Sequence, residues 1–480
     1  LEERAVARFL KDLDGKFRVL LVRGESIVVA TDLLGLGAVY YGIFDGTLYF
    51  GTHLGPLLDI LPRTPQPNRL AVASLLLTWS QLFEETHFTG VKRLQTGQFL
   101  EATWDPRRAA VEARTHEYGD LVEVLLQGGP GPSDPAAGKD LLRASQVREG
   151  YDEPTALMLS GGRDSKALAL TRPPSLRMAI TYGEPDSTDI RDGRRLARKL
   201  GMKHYTVPYG HWNLDTYFAM IVGLNAGCSG LQTNYNIVGY DWARRVCRLA
   251  VNGFMSGGSS GPRRHQAPPF DLERARHALL AAQWPAVAAV FPEEAKAVDD
   301  RMVSLVERYR DLTPTQTFML LKMTFRQTWI SSTFDLCGWM TPLAHPFFYR
   351  PLMQWAFHLP SEELAETRAY LRWIAHEQQA QGAEVTEADR RWDRLRARYY
   401  HWRHPRPTFI HVFWPEVVAR TDPALVTRHA GVMEELDRLT RDSWREAVQA
   451  KRNIPPAPIF VMTTAVAAAF RLADSASSAA

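Results

Sequence analysis

Between residues 155 and 207 short apolar runs alternate with helix-forming stretches, and this alternation limits the possible folds more than any other feature. Residues 155–159, 177–181 and 204–207 are too short for helices and are mostly apolar or β-branched. The stretches between them, residues 165–170 and 189–200, carry helix formers. Strands alternating with helices build βαβ units and therefore a parallel sheet.

The first of these strands ends in Leu159-Ser160-Gly161-Gly162-Arg163-Asp164-Ser165. Paired glycines let a backbone come close to an anion, and the helix that follows points its unpaired N–H groups at the same place. Ser160 and Ser165 add hydroxyl donors, whereas Asp164 would repel a phosphate directly. Its natural part is to hold a Mg²⁺ ion that bridges phosphate oxygens. The alternative is a βα turn capped by Ser or Asp that binds nothing.

The first hundred residues follow a different pattern. Residues 17–22, 26–30, 38–43, 47–51 and 98–103 read as strands, with a helix over 70–82. Asp45-Gly46 between two of the strands predicts a tight hairpin. The expected fold class is therefore α/β, with an N-terminal antiparallel β-sandwich over 1–115, a Gly/Pro-rich linker over 116–140, and a parallel-sheet domain over 141–475. Most of the chain after residue 271 reads as helix, notably 272–283, 292–312, 316–331 and 368–379, and the apolar stretch 459–469 reads as a core helix.

Composition narrows the function classes. A hydrophobic content of 45% excludes a disordered chain, and a net charge of +4 over 480 residues is too weak for a dedicated nucleic-acid binder. Cys228, Cys247 and Cys337 form no CxxC pair, so a reducing cytoplasm is expected. No apolar run is long enough for a membrane span. The chain opens on Leu1 without a signal-peptide pattern.

The string Ser160–Ser165 resembles the pyrophosphate loop of the N-type ATP pyrophosphatases, which cleave ATP between its α and β phosphates. Within that group the chain is similar to the asparagine synthetase superfamily over nearly its whole length. Leu13-Asp14-Gly15-Lys16-Phe17, Thr31-Asp32 with Gly35, Tyr40-Tyr41 and Leu48-Tyr49-Phe50-Gly51 resemble the later part of its glutaminase-type sandwich. Thr89-Gly90-Val91-Lys92-Arg93-Leu94, Thr181-Tyr182-Gly183, Pro346-Phe347-Phe348 and Leu371-Arg372 follow in the family's order. The resemblance implies ATP and Mg²⁺ as cofactors, with Asp164 as metal ligand. It places ATP and pyrophosphate on Leu159, Ser160, Gly161, Gly162, Asp164, Ser165, Thr181, Gly183, Gly253 and Ser256. Arg368 stands where the family has a catalytic Lys, and His345 is a candidate base for an attacking amine.

Three departures matter. The family's N-terminal nucleophilic Cys is not in this sequence, so glutamine hydrolysis is not expected of it as it stands. The stretch from Val251 to Gly261 lacks the family's second acidic ligand, although Arg263 and Arg264 follow it. No Glu precedes Pro346 at the family's position. Members without a working glutaminase include the β-lactam synthetases and lasso peptide cyclases, and this branch is the most similar. Trp329, Trp339, Trp355, Tyr370 and Trp373, with the Arg-rich and aromatic stretch from Arg390 to Arg406, suit a peptide substrate. The implied partners are a precursor peptide, or a small carboxylate and amine, and a leader-binding or protease partner protein. An amidotransferase acting on a small acid or sugar acid, a tRNA-modifying pyrophosphatase and a non-catalytic scaffold remain alternatives.

Overall fold

The computed structural model describes residues 3–399 except 79–81, 128–136, 184–186, 209–213, 229–235, 255–283, 365–366, 385, 390, 393–394 and 396–398. The expected helices at 272–283 and 459–469, and nearly all of the Arg-rich stretch from Arg390 to Arg406, lie outside the described residues.

The N-terminal part holds α1 (Glu3–Asp12), β1 (Arg18–Arg23), β2 (Ser26–Thr31), β3 (Tyr40–Phe44), β4 (Thr47–Gly51), α2 (Leu54–Asp59), α3 (Arg69–Thr78), β5 (Lys92–Arg93), β6 (Gln98–Asp105) and β7 (Ala110–Glu117). A four-stranded antiparallel sheet, β1-β2-β6-β7, faces a three-stranded one, β4-β3-β5. Val29 and Leu100 from the first sheet meet Val39, Tyr41 and Leu94 from the second, which makes the sandwich core. On its other face the four-stranded sheet buries Val28, Ala30 and Phe99 under Val6 and Leu10 of α1. The hairpin at Asp45-Gly46 has φ +51 and +76, the left-handed pair that a two-residue turn with matching twist requires.

Several sequence landmarks of this part turn out to be structural. Asp32 is buried and accepts the N–H groups of Leu34 (3.0 Å), Leu36 (3.2 Å) and Gly37 (2.5 Å). Buried Arg93 donates to the Gly35 carbonyl at 2.7 Å, which closes the same loop. The segment expected as a linker carries regular structure among its described residues, since β7 reaches Glu117 and α4 (Leu121–Leu126) follows. Asp120 caps α4 through the N–H groups of Val122 and Glu123. A cap and three buried apolar residues make a helix of a stretch whose flanking glycines and prolines read as a loop.

The rest holds α5 (Ala137–Arg148), β8 (Thr155–Met158), α6 (Arg163–Thr171), β9 (Met178–Gly183), α7 (Thr188–Lys199), β10 (Lys203–Pro208), α8 (Leu214–Asn225), α9 (Ile237–Ala243) and β11 (Leu249–Val251). It continues with α10 (Trp284–Val290), α11 (Pro292–Arg308), α12 (Pro314–Met340), β12 (Leu343–Ala344), α13 (Arg350–His358), α14 (Ser361–Leu364) and α15 (Arg368–Ala380). The sheet is parallel and five-stranded, β10-β9-β8-β11-β12. Every residue of β8 is buried, as a central strand covered on both faces demands. One face packs on α6, α13 and α15 through Leu168, Phe357 and Tyr370, and the other on Val238, Tyr240 and Ala243 of α9. No helix among the described residues is long and apolar enough to cross a membrane.

Buried histidines give this fold a pH signature. His87 sits against the Ala226 carbonyl at 2.6 Å, and burial pushes its pKa from 6.5 down to about 4. Burial also takes His345 from 6.5 down to about 3. Both stay neutral in the fold but take up a proton in the unfolded chain, so the unfolded state gains protons first as pH falls. Stability should be full above pH 6.5 and decline steadily as pH falls towards about 4. Urea midpoints across that window test this, and His87→Gln should flatten the slope.

Candidate active site

A cavity of about 210 Å³ opens at the carboxyl ends of β8, β9 and β11. From β8 the chain runs outward to β9 and β10 on one side, and the later strands β11 and β12 fill the other. That divergence leaves a crevice at the strand ends, the usual place for a ligand in an open α/β sheet. Met158, Leu159, Ser160, Gly162, Asp164 and Ser165 supply one wall.

The turn itself is tightly bonded. The Ser160 N–H donates to Ser165 Oγ at 3.0 Å, the Gly161 N–H to Asp189 Oδ1 at 2.9 Å and the Gly162 N–H to Ser160 Oγ at 3.1 Å. The amides of the turn are thus satisfied from within, which differs from the expectation that the glycine amides face an anion. Helix α6 behind them has no side-chain cap at Gly162, and the Lys166 N–H reaches the Gly162 carbonyl at 3.2 Å. The amides of residues 163–165 precede that bond and form the positive end of the helix. Gly253 closes over this end, since a Cβ there would lie 3.0 Å from both Asp164 Cβ and the Ser165 amide nitrogen.

Asp164 lines the cavity in the first turn of α6. Behind it stands Tyr370 of α15, whose phenol is pushed well up by burial and then by the Asp164 carboxylate. Arg163 donates to the hydroxyl of Thr367, the residue before α15. Thr367 is buried with φ +62, a left-handed conformation that a β-branched residue adopts only under constraint. Arg368 follows it, exposed and outside the cavity wall, and the contacts of its neighbours Thr367 with Arg163 and Tyr370 with Asp164 tie its helix to the turn.

Strand parity places two of the expected residues away from the cavity lining. Thr181 and Gly183 share one face of β9, and that face turns to α7: Thr181 Oγ1 is 2.8 Å from His204 Nε2, and a Cβ on Gly183 would lie 3.0 Å from Ser187 Oγ. The residue between them, Tyr182, lines the cavity together with Tyr240, their rings 6.5 Å apart. Asp189, Asn252 and Phe254 also line it and were missed. Alternation along β9 was the available signal for Tyr182. Nothing in the sequence marks Tyr240, which reaches the site from a helix outside the βαβ pattern.

Asn252 and Gly253 come from the end of β11, while Ser256, Arg263 and Arg264 lie outside the described residues. His345 does not line the cavity. It is 7% exposed, packed at a tilt against Phe334 and Phe348, with Nδ1 at 3.4 Å from Asn252 Oδ1. With its pKa held down near 3 it is a poor proton acceptor, which removes the reason for assigning it the part of a base.

The site can offer a metal few ligands. No group of three or more His, Cys, Asp or Glu that could hold a metal ion occurs among the described residues. A Mg²⁺ ion held by one or two carboxylates and completed by phosphate oxygens and water needs no such cluster, and Asp164 and Asp189 fit it.

No family model matches the chain. It is similar to the amidase chyE of Penicillium rubens, with 27% identity over 170 residues, which is 34% of this chain and 24% of that protein. The chain therefore spans about a quarter of the length of the relative it matches.

Proposed function

We propose that the protein is an ATP-dependent amide synthetase of the asparagine synthetase superfamily, forming AMP and pyrophosphate. The observation that carries this reading is the Ser160–Ser165 turn and the uncapped start of α6 opening together on one cavity at the sheet's carboxyl edge. Carboxylates at a helix's positive end suit a phosphate ligand only when a cation accompanies it, and Mg²⁺ would neutralise the phosphate oxygens. The Tyr182 and Tyr240 rings offer an apolar face for a base beside the phosphate end. The N-terminal sandwich corresponds, in this reading, to a glutaminase-like domain that here serves as scaffold.

In the proposed reaction a substrate carboxylate attacks the α-phosphorus of ATP, and pyrophosphate leaves towards α6. An amine then attacks the acyl carbon, AMP departs and the amide forms. Holding the two reactants side by side removes much of the entropic barrier. The preferred substrate is a lasso-type precursor peptide whose own amine closes a macrolactam. A small acid or sugar acid amidated by ammonia is the second choice.

The similarity to a Penicillium amidase raises amide hydrolysis as a rival. The described residues give that rival little machinery. Cys228, Cys247 and Cys337 are buried, with the first two thiols pushed up to about 12 and about 11 by burial. Ser160 and Ser165 hydroxyls, 3.0 Å apart, bond each other, and no histidine among the described residues lines their cavity.

Incubation with ATP and candidate precursor peptides should release pyrophosphate and lower the peptide mass by one water. Loss of that mass without ATP, or a gain of water on amide substrates, would sink the synthetase reading. Arg368→Ala should slow turnover far more than it weakens ATP binding and leave thermal unfolding unchanged. A lowered melting temperature with normal turnover would make Arg368 structural.

A further inference from the structure

Asn252 is 2% exposed, yet it lines the cavity. Its Oδ1 accepts the Phe254 N–H at 3.2 Å and lies 3.4 Å from His345 Nδ1. A backbone N–H can only donate, so the atom facing Phe254 must be the amide oxygen. The Nδ2 group then points away from both, and it is buried with no hydrogen-bond partner. A buried amide nitrogen with two unused hydrogens is costly unless something that binds there satisfies it.

Its neighbourhood says what that partner is. Asn252 stands at the end of β11, in parallel pairing beside β8, across from the turn. The next residue, Gly253, packs on the first turn of α6. Asn252 thus lines the same cavity as the first turn of α6, whose positive end favours an anionic oxygen. We propose that Asn252 donates through Nδ2 to a phosphoryl oxygen of the bound nucleotide or its pyrophosphate, and that His345 is the positioning residue that holds the amide in this orientation. The inference rests on the nucleotide reading of the cavity.

His345 suits this part because it is neutral and confined. Phe334 and Phe348 pack against the ring at centroid distances of 4.7 and 5.6 Å, so it has little freedom to turn. Nδ1–H donates to Asn252 Oδ1, and the tautomer is fixed by that acceptor. Lys16 on the N-terminal segment and Asp335 on α12 are the charged groups that act on it. The amide is thereby locked from behind by a ring and from the side by the Phe254 backbone. A ligand meets a donor that needs no reordering.

Calorimetric titration of the full chain with magnesium pyrophosphate, magnesium ATP and adenosine tests this. Asn252→Asp keeps the shape but turns the donor into a carboxylate. It should weaken pyrophosphate and ATP binding by about tenfold to a hundredfold, the usual worth of a hydrogen bond to a charged group, and leave adenosine unchanged. Asn252→Ser, which is shorter and neutral, should give a smaller loss with the same selectivity and serves if the Asp variant fails to fold. His345→Phe should weaken pyrophosphate binding several-fold and again spare adenosine, whereas a merely structural histidine would weaken both ligands alike. Unchanged pyrophosphate affinity in Asn252→Asp and Asn252→Ser, or equal loss for adenosine, overturns the proposal while leaving the nucleotide reading intact. Pyrophosphate binding without ATP binding in the unaltered protein overturns the nucleotide reading alone. Failure of the unaltered protein to bind pyrophosphate overturns both.

Discussion

Asp164→Asn should cut ATP–pyrophosphate exchange by about a hundredfold to a thousandfold, the range seen when one group that stabilises developing charge is removed. Asp164 is the cavity carboxylate in the first turn of α6, at the positive end of that helix. Asn keeps the size and suits a helix's first turn, so the loss should fall on chemistry and spare the fold. Tyr370 adds a second readout. The Asp164 carboxylate helps to hold its buried phenol in the protonated form, and removing the charge relieves that bias. Ultraviolet titration should show the Tyr370 signal moving to lower pH in the variant, although burial, the larger cause, remains. Exchange at the unaltered rate, in a variant that melts normally, would show that Asp164 has no part in handling the phosphates.

The reach of the sequence is uneven, for physical reasons. The βαβ alternation, the hairpin at Asp45-Gly46 and the strand buried on both faces were legible because backbone twist and burial act locally on residue type. The turn at Ser160–Ser165 was legible because two glycines after an apolar strand have few other uses. What the turn's amides bond to was not, because Asp189 reaches Gly161 from the next helix and the partner is set by packing. Parity along β9 separates Tyr182, which lines the cavity, from its neighbours Thr181 and Gly183, but sequence alone does not say which face meets the cavity. His345 shows the same dependence on packing. A histidine beside a proline is more often structural than catalytic, and the packing of His345 against Phe334 and Phe348 is set by tertiary contacts that local sequence does not carry. α4 was hidden for a simpler reason: six residues give too short a period to stand out from the Gly/Pro-rich stretch beside them.

Asp335→Ala should destabilise the protein by about 3–5 kcal/mol, the cost of breaking a buried ion pair from one side. Asp335, on α12, is 8% exposed and meets Lys16 Nζ at 2.8 Å and Arg18 Nη2 at 2.7 Å. Both cations come from the segment that opens the N-terminal sandwich, so this carboxylate joins the sandwich to the helical part. Burial alone would raise its pKa, but Lys16 and then Arg18 outweigh burial and hold it below the ordinary value of 3.8. A depressed carboxyl stabilises the fold above its unfolded pKa and loses that contribution as pH falls through the folded value, so the effect of the substitution should shrink in strong acid. Urea unfolding at neutral pH measures the loss. A second variant separates the charge left behind from the pair itself: replacing Lys16, Arg18 and Asp335 together with Met, Met and Leu should recover most of the stability, because no unpaired charge remains buried. A loss below about 1 kcal/mol in Asp335→Ala would mean that water reaches the two cations freely, as in an exposed pair. Equal losses in the single and triple variants would mean that the bridge contributes attraction beyond its desolvation cost. Phe334, the neighbour of Asp335, packs on Phe254 at 4.3 Å and on His345 at 4.7 Å, so the junction also braces the wall behind Asn252. The single variant should therefore weaken pyrophosphate binding as well, and the triple variant should restore it only as far as it restores that packing.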